Sequence, residues 1–154
     1  MARRGSRKIL KAALAYGGQG CRVIPLSGKK PYLKGWPEAA SSDEGTIRGW
    51  WKKFPNANVG IVTGRASDLL VIDVDEKGGK RGLRTLNELE ARLGHLPQSQ
   101  RVQTPNGMHI YFKCPDTIIG NSVGTLGEGV DIRGERGYVV APPSIINGVR
   151  YKWI

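Results

Sequence analysis

The stretch Asp68-Leu69-Leu70-Val71-Ile72-Asp73-Val74-Asp75 constrains the fold more than any other part of the chain. A short aliphatic run of this kind reads as a buried strand. It ends in carboxylates at i and i+2, which point to the same face of a strand about 7 Å apart. Two like charges at the end of a buried strand are costly unless a positive charge sits between them. A divalent cation held through carboxylate oxygens answers that need. A bare Asp-x-Asp, however, is more often a strand end with two solvated aspartates. The rest of the chain decides between the two.

Length and charge narrow the choice. The 154 residues form one domain, or two small lobes sharing a core, and can bury an interior without disulfides. Lys and Arg number 24 against 13 Asp and Glu, a formal charge of +11. Such an excess favours a polyanionic partner, nucleic acid first and an anionic membrane surface second. No segment approaches a transmembrane run, and no apolar signal core follows the basic first residues. Cys21 and Cys114 have no neighbours at metal-site spacing and suggest no disulfide framework. They read as two small buried thiols of a reducing cytosol, so a cytoplasmic location is expected.

Along the chain, helical and extended patterns alternate. Ser6 can cap a helix whose apolar face carries Ile9, Leu10, Ala13, Leu14 and Tyr16 and stops at Gly17-Gly18. Cys21–Leu26 reads as a strand, followed by a loop to Pro37 with Lys29, Lys30, Lys34, Tyr32 and Trp36. That loop is either a solvated connection with its Trp tucked on the core, or a cationic clamp for phosphate with aromatics for stacking. Ser41-Ser42-Asp43-Glu44 is a capping box for a helix that turns Ile47, Trp50, Trp51 and Phe54 to the core. Asn58–Thr63 and Leu69–Asp75 are strands around a turn, and the pair could form a hairpin that delivers Asp73 and Asp75 to one end of a sheet. Leu83, Leu86, Leu89 and Leu93 share one face of a helix stopped by Gly94. Arg101–Thr104 and Met108–Cys114 flank an Asn106-Gly107 hairpin turn. Val130–Arg133, Tyr138–Ala141 and Val149–Trp153 are further short strands. Hairpins dominate the second half, which predicts a mixed α+β fold on a largely antiparallel sheet, not a doubly wound parallel one.

Three more polar residues join the two aspartates. His109 follows the hairpin turn in an alternating run, and Asp131 and Arg133 share one face of a short strand. Each has an ordinary explanation alone, as a hydrogen-bonded core histidine or a local ion pair. Together with Asp73 and Asp75 they give three carboxylates on neighbouring strands, able to hold two Mg²⁺ or Mn²⁺ ions, with a His and an Arg to grip a triphosphate. Phosphoryl transfer needs this set: cations bridging phosphate oxygens and side-chain charge holding the leaving pyrophosphate.

The motifs also follow a recognisable order. Lys30-Pro31 stands ahead of Gly35-Trp36, Asn58–Gly64 ahead of Val71–Asp75, then Thr104–Phe112, then Gly129–Gly134 with Gly137–Ser144, Gly148, Tyr151 and Trp153. From about Leu14 to Trp153 this series resembles the prim-pol domain (bifunctional DNA primase/polymerase, N-terminal) of the archaeo-eukaryotic primase superfamily, as in plasmid and phage replication proteins. The resemblance implies an α/β lobe packed on an RRM-like sheet, with the active site in the cleft between them. It implies template-dependent nucleotidyl transfer from dNTP or NTP to a primer on single-stranded DNA, using two Mg²⁺ or Mn²⁺ ions. Asp73, Asp75 and Asp131 would be the metal ligands. His109 would contact the nucleotide's phosphates, with Arg133 and Lys30 as further candidates, Asn106 and Gly107 as donors to the triphosphate, and Ser144 as one more contact. The turn before His109 is shorter than the family's usual Ser and paired glycines, which leaves the sugar preference open. Residues 1–154 are then expected to be one catalytic domain, the N-terminal fragment of a longer replication protein carrying a helicase. Without a following helical segment, it should extend primers better than it starts them.

Two other classes compete with this expectation. A non-catalytic single-strand binding module would use the basic charge, Tyr32, Trp36 and an RRM-like sheet, but three carboxylates repel phosphate unless metal is bound. A two-metal nuclease uses similar ligands but needs no grip on a triphosphate.

Overall fold

The computed structural model describes residues 2–154, with side chains from residue 4 onward. Its first element, α1 (Ala2–Gly18), buries Ile9, Ala13 and Tyr16 at helical spacing. The chain continues through β1 (Val23–Ser27), β2 (Lys30–Pro31), the single turn α2 (Trp36–Ala39), α3 (Glu44–Lys53), β3 (Asn58–Val62) and β4 (Leu70–Asp75). After a 3₁₀ turn at Lys77–Gly79 come α4 (Gly82–Leu93), β5 (Arg101–Thr104), β6 (Gly107–Phe112), β7 (Val130–Arg133) and β8 (Tyr138–Val140). The short strands β9 (Ile145–Ile146), β10 (Val149–Arg150) and β11 (Lys152–Trp153) complete it.

The strands form two main antiparallel sheets, ordered β2-β1-β3-β8 and β11-β5-β6-β4-β7. The larger core joins α1 and α3 to both sheets through Ile47, Trp51, Val59, Ile61, Val71, Val102 and Tyr111. A smaller core (Val74, Leu86 and Ile110) seats α4 on the other face of the five-stranded sheet. The mixed α+β architecture and its antiparallel sheets are as the hairpin-rich sequence predicts.

Several local expectations are corrected. The strands β3 and β4 do not form a hairpin: they meet only at a Gly64–Leu69 bridge and then enter different sheets. The reason is burial. All five residues of β3 are buried, so it needs a partner on each side, and β1 and β8 provide them. Ser6 lies inside α1, where its hydroxyl donates to the Pro55 carbonyl instead of capping the helix. Asp43, not Ser41, caps α3: its Oδ2 accepts from the Thr46 amide at 2.8 Å, while Ser41 Oγ accepts from the Asp43 amide at 3.0 Å. Of the four leucines expected along α4 only Leu86 is buried, and Leu93 is 73% exposed, because the helix covers a narrow patch of sheet. The run Val149–Trp153 splits in two at Tyr151, whose amide is drawn inward to the Ser144 carbonyl. Cys21 and Cys114 are free and half-buried rather than fully buried. Among the described residues no helix is long and apolar enough to cross a membrane.

Candidate active site

Two residues separate core from site along β4. Val71 is fully buried between the sheets, and Asp73 follows on the same face, as alternation requires. Directly across the sheet, Asp73 is paired with His109 of β6 on one side and with Asp131 of β7 on the other. Side chains of directly paired residues share a face, so these three groups converge. Asp75 lies one further step along, opposite Gly107.

The backbone around Asp75 is packed too tightly for side chains. A Cβ on Gly107 would lie 1.9 Å from the Val74 carbonyl oxygen, and one on Gly129 would lie 2.6 Å from that of Asp75. Gly129 also has φ of 77°, which a glycine adopts at no steric cost. Its carbonyl accepts from the Asp75 amide at 2.7 Å. The end of β4 is thereby fixed in place.

Electrostatics then shape the carboxylates. Burial pushes the Asp73 carboxyl up to about 6; Arg133 opposes the rise, Asp131 and Asp75 add to it, and Lys29 opposes it. Arg133 Nη2 stands 3.6 Å from Asp131 and 3.9 Å from Asp73. Asp131 Oδ1 accepts from the Gly124 amide at 2.8 Å. Asp75 Oδ1 accepts from the Lys77 amide at 2.9 Å, and its Oδ2 is 3.7 Å from Lys80.

His109 is 6% exposed. Burial, with the charges of Arg133 and Lys29, brings its pKa down to about 4, so the ring is neutral at pH 7. Its Nε2 stands 3.5 Å from Asp73 Oδ1, a contact of a neutral ring and not an ion pair. Its Nδ1 is buried without a hydrogen-bond partner. Beside it, Tyr151 is pushed up to about 12 by burial and by Asp73 and Asp75, so its phenol stays protonated.

A cavity of 390 Å³ opens between the two sheets at this point. Asp73, His109 and Arg133 line it from the five-stranded sheet, and Tyr138, Val139 and Val140 from the other. Lys29, Trp36, Asn121, Arg136 and Tyr151 are also in its wall.

The structure thus brings Asp73, Asp131, His109 and Arg133 together, with Asp75 at the adjoining end of β4. Other predicted residues lie elsewhere. Lys30 pairs with Ser27 in β2, and its neighbour Lys29 faces the cavity instead. Asn106 is in the β5–β6 turn, where its carbonyl accepts from the Glu76 amide at 2.8 Å, and Gly107 opens β6. Neither lines the cavity. Ser144 is fully buried, with its hydroxyl bonded to both the amide and the carbonyl of Val59, so it does not reach the site.

Sequence reasoning offered Lys29 only as one lysine of a candidate phosphate-clamping loop, and did not single out Asn121, Arg136 or Tyr138. Only Lys29 carried a signal, as half of a Lys-Lys pair in a turn. The others reach the cavity through contacts far apart in sequence.

The donor set consists of oxygen ligands, which suits Mg²⁺ or Mn²⁺. Among the described residues no three His, Cys, Asp or Glu side chains converge closely enough to hold one ion unaided. Asp75 and Asp131 are each turned toward a backbone amide. That fits a hard cation which takes one or two carboxylates and completes its shell with water and substrate phosphate. Burial is the main cause of the raised Asp73 carboxyl, with the charges of Asp131 and Asp75 adding to it, and a bound cation would favour the ionised form against both.

A family model described as "Bifunctional DNA primase/polymerase, N-terminal" matches residues 13–154. No curated protein matches the chain.

Proposed function

The chain belongs to the bifunctional DNA primase/polymerase N-terminal family, and on that premise we propose that it extends a primer on single-stranded DNA by transfer from dNTP or NTP. The family-level chemistry is nucleotidyl transfer of the primase/polymerase type. The observation that carries the finer reading is the cross-strand row His109–Asp73–Asp131, of which His109 and Asp73 line a cavity that also carries Lys29, Arg133 and Arg136.

Asp73, Asp75 and Asp131 would hold two divalent cations. When bound, these ions supply charge neutralisation for the α-phosphate and the leaving pyrophosphate, and acidify the primer hydroxyl. Asp73 must give up its proton first, which above about pH 6 it does. Arg133 and Lys29 counter the negative charge of a triphosphate in the cavity. His109, neutral at pH 7, acts as a hydrogen-bonding group toward a phosphate oxygen, not as a charge. Tyr151 and the Trp36–Tyr138 edge pair, whose rings are 5.0 Å apart, give the cavity an apolar wall for sugar or base. Tyr32, offered as a stacking surface by the binding-module reading, is already stacked on Phe54 at 4.1 Å.

The test is extension of a labelled primer on single-stranded DNA with dNTPs and Mg²⁺ or Mn²⁺. Extension by the wild type, abolished by Asp73→Ala with template binding retained, supports the reading. Template binding without extension under either ion contradicts it.

A further inference from the structure

Among the described residues, three cations line the cavity: Lys29, Arg133 and Arg136. Arg133 is committed to Asp73 and Asp131. Arg136 is paired instead with Glu38 of α2, Nη1 to Oε1 at 2.6 Å, and Glu38 is not in the cavity wall. The two side chains of this pair are 63% and 65% exposed. An exposed pair holds weakly against a competing anion.

The backbone points the same way. Arg136 has φ of 59°, in the left-handed region that glycine enters freely and other residues enter at a cost. Its turn is pinned on every side. Thr63 donates its hydroxyl to the Gly134 carbonyl at 2.6 Å, and the Glu135 amide donates to the Ile119 carbonyl at 2.7 Å. Asn121 Nδ2 donates to the Glu135 carbonyl at 3.1 Å, and the Glu135 carboxylate accepts from the Arg65 amide at 2.9 Å. The turn has glycine at 134 and 137 yet carries arginine at the left-handed position. A strained residue held by its surroundings marks a side chain kept for what it does. The exposed pair with Glu38 is too weak a reason by itself.

We infer that Arg136 is a phosphate-binding residue for the polyphosphate tail of the nucleotide, and that it exchanges Glu38 for phosphate oxygens when the nucleotide enters. This rests on the nucleotide-binding reading above. The planar guanidinium suits two phosphate oxygens at once. Glu38 is then a competitor, holding the guanidinium at the cavity mouth and lowering affinity until it is displaced.

Inorganic tripolyphosphate with Mg²⁺, titrated calorimetrically into the full chain, tests this without requiring catalysis. Arg136→Gly removes the side chain while suiting the left-handed backbone, so it should melt no lower than the wild type and bind tripolyphosphate about tenfold more weakly. Glu38→Gln should bind it more tightly, because the competitor is gone. Unchanged affinity in Arg136→Gly would overturn the inference. So would a loss in Glu38→Gln equal to that in Arg136→Gly, because the pair would then be a strap between α2 and the β7–β8 turn. A wild type that binds tripolyphosphate through Arg136 but extends no primer would defeat the polymerase reading and leave this one standing. Primer extension with an unchanged nucleotide KM in Arg136→Gly would do the reverse.

Discussion

Asp73 and Asp131 stand directly opposite each other on the antiparallel strands β4 and β7. Like charges so placed weaken a sheet, and the Asp73 carboxyl is raised to about 6, first by burial and then by the neighbouring carboxylates of Asp131 and Asp75. Arg133 offsets part of the repulsion from 3.6 and 3.9 Å. The arrangement makes sense as a site that gives up stability for a charge pattern a cation can use.

That trade predicts how stability responds to pH in EDTA. The raised Asp73 carboxyl means the folded chain holds its proton more tightly than the unfolded one, so Asp73 favours folding at low pH and loses that effect as pH rises through about 6. His109, lowered to about 4, does the opposite: its contribution is full above about 6.5 and is lost as pH falls toward 4. Between pH 4 and 6 the two slopes oppose each other. Asp73→Asn should therefore be more stable than the wild type at pH 7, by about 1–3 kcal/mol. It should also lose stability on acidification more steeply than the wild type. Urea melts at pH 4, 5, 6 and 7 check this, and a variant with a flat profile would contradict the account.

His109→Ala should raise the nucleotide KM about tenfold while changing kcat less, as expected for loss of one hydrogen bond to bound substrate. Because the ring is neutral at pH 7, the wild-type KM should show no histidine titration between pH 6 and 8. Steady-state kinetics over that range decides it, and a KM unmoved by the substitution would remove His109 from the phosphate site.

Gly129→Ala should unsettle the end of β4. The added methyl meets the Asp75 carbonyl oxygen at 2.6 Å, on a residue with φ of 77°. A destabilisation of about 2–4 kcal/mol is expected from the combined clash and strain. Loss of activity should exceed what the unfolded fraction explains, since Asp75 moves. Thermal melts read beside activity at low temperature separate the two effects, and wild-type behaviour in both would show that the packing at Asp75 is looser than described.

Ser144→Ala should cost about 1–3 kcal/mol by leaving the Val59 amide and carbonyl without their hydroxyl partner. The nucleotide KM should stay at the wild-type value well below the melting temperature. A raised KM with unchanged stability would instead return Ser144 to the nucleotide site.

Much of this was legible in the sequence where the signal was local. The alternation Val71, Asp73, Asp75 fixes which side chains share a face, and the hairpin turn ahead of Gly107 fixes the β5–β6 register, with His109 opposite Val102; that His109 also faces Asp73 comes from the separate pairing of β6 with β4. The strand pattern around Asp131 and Arg133 was readable in the same way. What the sequence hid was the partnering of strands. The apolar run of β3 reads equally well as one arm of a hairpin or as a central strand, and only its complete burial between β1 and β8 decides. The second wall of the cavity comes from β8, the β1–β2 turn and the β7–β8 turn, so Lys29, Tyr138 and Arg136 join Asp73 across long stretches of chain. Ser144 shows the reverse error: it stands in a family-like motif, yet its hydroxyl ties β3 to the segment ahead of β9.

In the proposed reaction Asp73, Asp75 and Asp131 would together hold the divalent cations for nucleotidyl transfer. Titration of Mn²⁺ into the full chain with dNTP, followed by electron paramagnetic resonance, tests it most directly. The account predicts dNTP-enhanced Mn²⁺ binding by the wild type that weakens at least tenfold in Asp73→Asn and in Asp131→Asn. Mn²⁺ binding of equal strength in the wild type and both variants would contradict it.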